Sequence, residues 1–349
     1  MNWWTKWLWL QDKKIILFEK QRRVIKIVNL IIPTYKARDT LPAALDSLVA
    51  QTKKLFIVTV VQDADNEDYT DIIQEYRHRG LQIKLLQMPE NGGPGLARQY
   101  GMDNDTMCDY FMFMDSDDIL MPRAIELLYR EAKLNDADFV SSDFIAERIY
   151  APGLYMDVTK TPITWTHGKL YKAKYLRDNN IRFHPSLRLN EDAYFNLVAG
   201  NCTKNKIKIQ EVTYLWRENK KSLTRSISEV DFFKRSWEDY IVSQVQGLID
   251  INNIVNYLEP NLVAATLLNI YNHCMRVISL GNDLLNTNAP VQLEKLATIT
   301  SFVEAVHTEQ FWSYIYNNLK ACDMFNNNLI FFKQRFCDWM KEYIVEDLL

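Results

Sequence analysis

Regular alternation of apolar and polar positions begins near residue 24. Four short runs, "VIKIVNLIIP" (24–33), "KLFIVTVV" (54–61), "LQIKLLQM" (81–88) and "YFMFMD" (110–115), are rich in β-branched or aromatic residues and predict strands. Between them, residues 39–51, 67–79 and 95–104 place apolar side chains at helical spacing. Strands alternating with helices predict an α/β fold, a mostly parallel sheet sandwiched by helices. Ligands of such sheets bind beyond the carboxyl ends of the strands. The unusual segments fall at those ends: "PTYKARD", "QDAD", "PENGGPG" and "DSDD". Beyond about residue 230 the spacing is helical and glycines are few, which predicts an all-α C-terminal domain of four or five helices.

Composition adds bounds. With 349 residues, 48% hydrophobic, the chain can bury two substantial cores. The expected division is an aromatic N-terminal extension (1–25), an α/β domain (26–228) and the helical domain (229–349). Trp3, Trp4, Trp7 and Trp9 in the extension suit packing on the body or on a second subunit of a homo-oligomer. Five cysteines without metal-ligand spacing suit reduced thiols. No apolar stretch approaches the roughly 20 residues of a membrane span, so no stable membrane insertion and a cytoplasmic location are expected.

Charge is segregated. The net charge is -3, yet residues 160–235 carry sixteen Lys+Arg against seven Asp+Glu between two net-acidic segments. A concentrated basic stretch fits either a solvated face or an anionic partner.

Three segments carry candidate chemistry. In "DSDD" the strand alternation places Asp115 and Asp117 on one side, able to hold a divalent cation, with Asp118 pointing elsewhere or capping the next helix. "NGGPGLARQYG" (91–101) lacks the spacing of a P-loop or a dinucleotide fingerprint, but starts a helix at Pro94 with Arg98 placed toward an anion. "NEDAYF" sets Glu191 and Asp192 at another helix start, where a carboxylate serves either the helix dipole or general-base catalysis. His167 and Lys169 in "WTHGKLY" are further candidates for metal or phosphate contact, the plain alternative being a hydrogen-bonded structural histidine.

In order and spacing, "VNLIIPTYKARDTLPAALDSLVAQT", "NGGPGLARQYGMDN", "FMFMDSDDIL", "HGKLYKAKYLRDNNIRFHPSLRLNEDAYF" and "YLWRENKKSLTRS" resemble the family 2 glycosyltransferases over roughly residues 26–225. The resemblance implies a GT-A (Rossmann-like) fold, an inverting transfer from a UDP-sugar, and Mn²⁺ or Mg²⁺ at a DxD element. It implies that Pro33, Thr34 and Tyr35 line the nucleotide pocket, Asp63 meets the base, and Asn91, Gly92 and Arg98 border the phosphates. Asp115 and Asp117 fall at ribose and metal, Asp192 with Glu191 beside it at the catalytic base, and Arg217 and Ser222 in a segment closing over the diphosphate. Lys36, "QDAD" and Gln99 depart from the family's usual residues, and the element of processive synthases is missing, which favours one sugar per encounter. The basic segment on the acceptor side points to an anionic polymer. A 5-hydroxymethylated pyrimidine in phage DNA is the leading expectation, with surface polysaccharide or teichoic acid as the alternative. A nucleotide-sugar-binding module or a nucleotidyltransferase is the reading from another class.

Overall fold

A computed structural model describes residues 28–150, 153–159, 164–219, 229–279, 289–319 and 329–344. The Trp-rich extension and Ser222 lie outside the described residues, as does the expected domain boundary at 228.

The predicted strands form: β1 (Val28–Thr34), β2 (Phe56–Gln62), β3 (Ile83–Gln87) and β4 (Tyr110–Phe113), parallel and ordered β3-β2-β1-β4. The alternating helices are α1 (Leu41–Val49), α2 (Thr70–His78) and α3 (Pro94–Asp103). Every residue of β1 is buried, because both faces of the sheet are covered. Leu30 and Ile32 enter one apolar cluster with α1 and α2, while Ile31 enters the other with α3, as the two-residue period requires. The buried Asn29 is satisfied between Asp105 (2.8 Å) and the Thr59 hydroxyl (2.8 Å).

The second half of the sheet is mixed. After β5 (Ile119–Leu120) and α4 (Ala124–Leu134) come the hairpin β6 (Phe139–Tyr150) and β7 (Gly153–Thr159), then β8 (Lys169–Lys172), α5 (Ala173–Asp178), α6 (Glu191–Asn201) and β9 (Lys206–Trp216). β8 bridges the halves, antiparallel to both β4 and β6, and β9 runs parallel to β6. The α/β expectation holds, with the parallel character concentrated around β1.

Helices follow, six among the described residues where four or five were expected: α7 (Glu229–Val255), α8 (Pro260–Ser279), α9 (Ala289–Ala297), α10 (Thr300–Val306), α11 (Glu309–Leu319) and α12 (Leu329–Tyr343). They are not peripheral to the α/β part. Trp237, Ile241, Val245 and Leu248 of α7 share one apolar cluster with Leu197 and Val198 of α6 and with Phe113 of β4. Polar ties reinforce the joint: Asp239 accepts from the Leu189 N–H (3.0 Å), the Ser236 carbonyl from Asn190 Nδ2 (3.0 Å), and Asp250 from the Tyr194 hydroxyl (2.5 Å). Among the described residues no helix is long and apolar enough to cross a membrane. The four described cysteines are free thiols.

Candidate active site

The loops at the carboxyl ends of β1, β2 and β3 are locked together. Asp63 is buried, and its carboxylate accepts from the N–H groups of Gly92 (2.6 Å) and Gly93 (2.8 Å) and from Asn91 Nδ2 (3.0 Å). Gly93 supplies the positive φ of 82° that turns the chain into α3. Thr34 is buried and donates to the Val61 carbonyl (3.1 Å), opposite which Pro33 also lies. Tyr35 is half exposed, with Lys36 Nζ 5.1 Å from its ring centre. Asp65, which the sequence reading passed over, fixes this corner by accepting from the Tyr69 hydroxyl (2.8 Å) and the Lys36 N–H.

The acid segment corrects an expectation. β4 ends at Phe113, and the Asp118 N–H returns to the Asp115 carbonyl (3.2 Å), so residues 115–118 form a turn and strand alternation does not apply. Positions three apart are gathered instead: ligand atoms of Asp115, Asp118 and His167 lie within 4.8 Å of one another. Asp117 stands next in the turn and accepts from Asn219 Nδ2 (2.7 Å). Asp118 does not cap α4, whose N-terminal flanking residue is Arg123. It is buried, accepting from the Tyr214 hydroxyl (2.6 Å) and the Arg217 N–H (2.8 Å).

α6 delivers Glu191 and Asp192 to the same place. Glu191 turns inward against Gly95, where an added Cβ would come within 2.5 Å of its Cγ. Arg98 then joins the two acidic elements, with Nη1 2.9 Å from Glu191 Oε1 and Nη2 2.5 Å from Asp115 Oδ1. The guanidinium is almost wholly buried over the Phe183 ring, and Phe183 stacks on Phe195 at 4.1 Å. Arg98 is thus a buried bridge between the acidic turn and the start of α6.

Electrostatics follow from this crowding. Burial pushes Asp115 upward, but Arg98 and His167 outweigh it and hold its carboxyl below the usual range. Asp118 goes the other way, raised by burial and by the charges of Asp115 and Asp117. Glu191 is pushed up to about 7 by burial and by Asp192. Asp192 is itself raised by burial, partly offset by Arg98 and His167. Lys169, wholly buried on β8 and donating to the Trp165 carbonyl, is lowered to about 7 by burial, with Asp192 opposing.

These residues fit a divalent cation. Two carboxylates and an imidazole converge, the Asp118 carboxyl is raised by burial and by the charges of Asp115 and Asp117, and buried His167 Nδ1 has no hydrogen-bond partner among the described residues. Mixed carboxylate and imidazole donors suit Mn²⁺ or Mg²⁺ with positions left for phosphate oxygens. His167 is fixed by stacking on Tyr214 (4.7 Å, 12°) between Trp165 and Trp216. Arg217 reaches toward Glu147 at 3.8 Å.

Strand-end loops, an acidic turn and inward-facing carboxylates thus meet at the carboxyl end of one α/β sheet, where ligands of such sheets bind. Residues 29–187 match the model described as glycosyl transferase family 2, and the chain carries a glycosyltransferase domain of that family. It is 26% identical to a glycosyltransferase of Bacillus subtilis, EpsJ, over 78% of this chain and 82% of that protein. It is 29% identical to a poly(ribitol-phosphate) beta-glucosyltransferase of Bacillus spizizenii, over 49% of this chain but 29% of that much longer protein. In fold it is similar to residues 1–349 of Staphylococcus aureus TarS in complex with UDP (TM-score 0.62, 21% identity, 84% of each chain covered).

Proposed function

We propose that the chain moves a sugar from a UDP-sugar to a hydroxyl on an anionic cell-surface polymer of the teichoic-acid type, inverting the anomeric centre. The observation that carries this reading is the Arg98 bridge, which brings the acidic turn at 115–118 and the acidic start of α6 to the end of one sheet. The acceptor class is supported by relatives named for poly(ribitol-phosphate), and nothing in those names favours the pyrimidine base in DNA that charge segregation suggested. A surface polysaccharide is the second reading, favoured by similarity to a succinoglycan biosynthesis protein of Rhizobium meliloti. Transfer takes place in the cytoplasm on this reading.

Asp192 takes the proton of the acceptor hydroxyl as its oxygen bonds to the anomeric carbon, and the bond from that carbon to the diphosphate oxygen breaks. Glu191, neutral or charged near pH 7, sets the proton affinity of Asp192 through the same coupling that raises its own. Tyr35, Asn91 and Gly92 border the nucleotide, with Asp63 holding their loop. Asp115, Asp118 and His167, with Asp117 beside them, would hold a divalent cation, which would supply positive charge to the leaving diphosphate. Arg217, whose N–H meets Asp118, borders the same group.

The test is release of UDP from UDP-glucose and UDP-N-acetylglucosamine with poly(ribitol phosphate), with and without manganese. A polymer of increased mass, formed only with metal, is expected. Sugar transfer unaffected by chelation sinks the metal assignment, and absence of transfer to any polyol-phosphate sinks the acceptor.

A further inference from the structure

The segment ahead of α6 contains an arginine that the chemistry above does not use. Arg188 is exposed, and its guanidinium donates to the Asn91 carbonyl (3.0 Å) and to Asn91 Oδ1 (3.3 Å). It lies across Gly93, where a side chain would touch its Cδ and Nη1 at 3.5 Å. Gly95, two residues on, is the glycine against which Glu191 packs, so Arg188 and the acids of α6 border the same first turn of α3.

The charge of Arg188 is unlike that of its neighbours. Arg98 is paired with Asp115 and Glu191, and Arg182 with Asp103 (2.7 Å). Arg188 meets only neutral oxygens of Asn91, and among the described residues it makes no ion pair. Asp63, beneath the loop, faces its carboxylate to the Gly92 and Gly93 N–H groups and to Asn91 Nδ2. A cation beside the amino end of a helix is placed against the helix dipole, a cost that a bound anion removes. Of the five N–H donors of a guanidinium two are engaged here, which leaves three in a fixed fork suited to phosphate.

We propose that Arg188 is a specificity residue of the acceptor site, gripping a phosphodiester of the polymer while the hydroxyl of an adjacent unit reaches Asp192. This rests on the polyol-phosphate reading above. It assigns the anion to the acceptor because Arg188 stands at the solvent-facing rim, whereas the cation-binding group lies around buried Asp118 and His167.

Steady-state kinetics of the full chain with UDP-sugar test it, using poly(ribitol phosphate) and phosphate-free ribitol as paired acceptors. Arg188→Gln is expected to raise KM for the polymer about tenfold, the effect of one charged hydrogen bond. The KM values for ribitol and for the UDP-sugar should move less than twofold. Arg188→Lys should recover part of the loss, and the wild-type KM for polymer should rise more steeply with salt than that of the Gln variant. An equal rise for both acceptors would make Arg188 a brace for the 91–93 loop, and a matching rise for the UDP-sugar would make it a donor contact; either result overturns the proposal. Transfer by the wild type to ribitol but not to the polymer removes the polyol-phosphate reading together with it, whereas normal polymer transfer by Arg188→Gln removes this inference alone.

Discussion

Two groups of carboxylate stand at the carboxyl ends of β2 and β4, on either side of β1, and they are satisfied in opposite ways. Asp63 meets only neutral N–H donors from the adjacent loop, three of them within 3.0 Å. That joint is complete before any substrate arrives. Asp115, Asp118, Glu191 and Asp192 instead crowd around one guanidinium and one imidazole, and burial leaves Asp118 and Glu191 holding their protons unusually well. A carboxylate at a strand end is thus a strut when backbone donors saturate it, and a candidate for chemistry when like charge is left uncompensated.

The contrast can be broken most severely at Asp192. Asp192→Asn should lower the transfer rate by about 10²- to 10⁴-fold while UDP binding, read by calorimetry, changes little. Asp63→Asn gives the opposite pattern, a loss of stability and of UDP affinity together, since one of its N–H partners is left facing an amide. Equal rate losses in the two variants would erase the distinction.

Next in size is the bridge. Arg98→Met leaves buried Glu191 and half-buried Asp115 without their cation, and loss of one partner from the buried Arg98–Glu191 pair costs about 3–5 kcal/mol. Urea denaturation should show it as a lower midpoint, and an unchanged midpoint would mean the two acids are already neutral or solvated.

A pH dependence sharpens the comparison further. Glu191 holds its proton up to about pH 7 in the folded chain, against an ordinary value of 4.5. Between those limits the unfolded chain has released a proton that the native chain keeps, so stability is full below pH 4.5 and declines as pH rises through 7. The decline is up to ~3 kcal/mol, and Glu191→Gln, which still accepts from Arg98, should flatten it. Denaturant midpoints from pH 5 to 8 compare the two proteins, and parallel curves would place the titration elsewhere. The smallest effect belongs to the α7 clasp. Tyr194→Phe removes the bond to Asp250 and should cost about 1 kcal/mol, seen as a shift in melting temperature of a few degrees.

Much of this was legible along the chain. The strands of the parallel half, the segments at their ends, the acids at 115–118 and the pair at 191–192 were visible because each depends on a short period or on adjacent residues. His167 was a bare candidate until the fold set it beside Asp115, at 3.9 Å, and Arg188 carried no signal beyond its charge. The regrouping of Asp115 with Asp118 followed from where β4 stops, at Phe113.

The sequence by itself determined the alternation of strand and helix, and therefore which end of the sheet carries polar loops, since side-chain period and local turn chemistry are encoded within a few residues. Only the tertiary structure decided that Arg98 spans Asp115 and Glu191, 17 and 93 residues away, and that α7 clasps the start of α6. Such contacts arise from the packing of distant apolar faces against one another. The charge imbalance that singles out the site exists only after that packing has excluded water from the carboxylates.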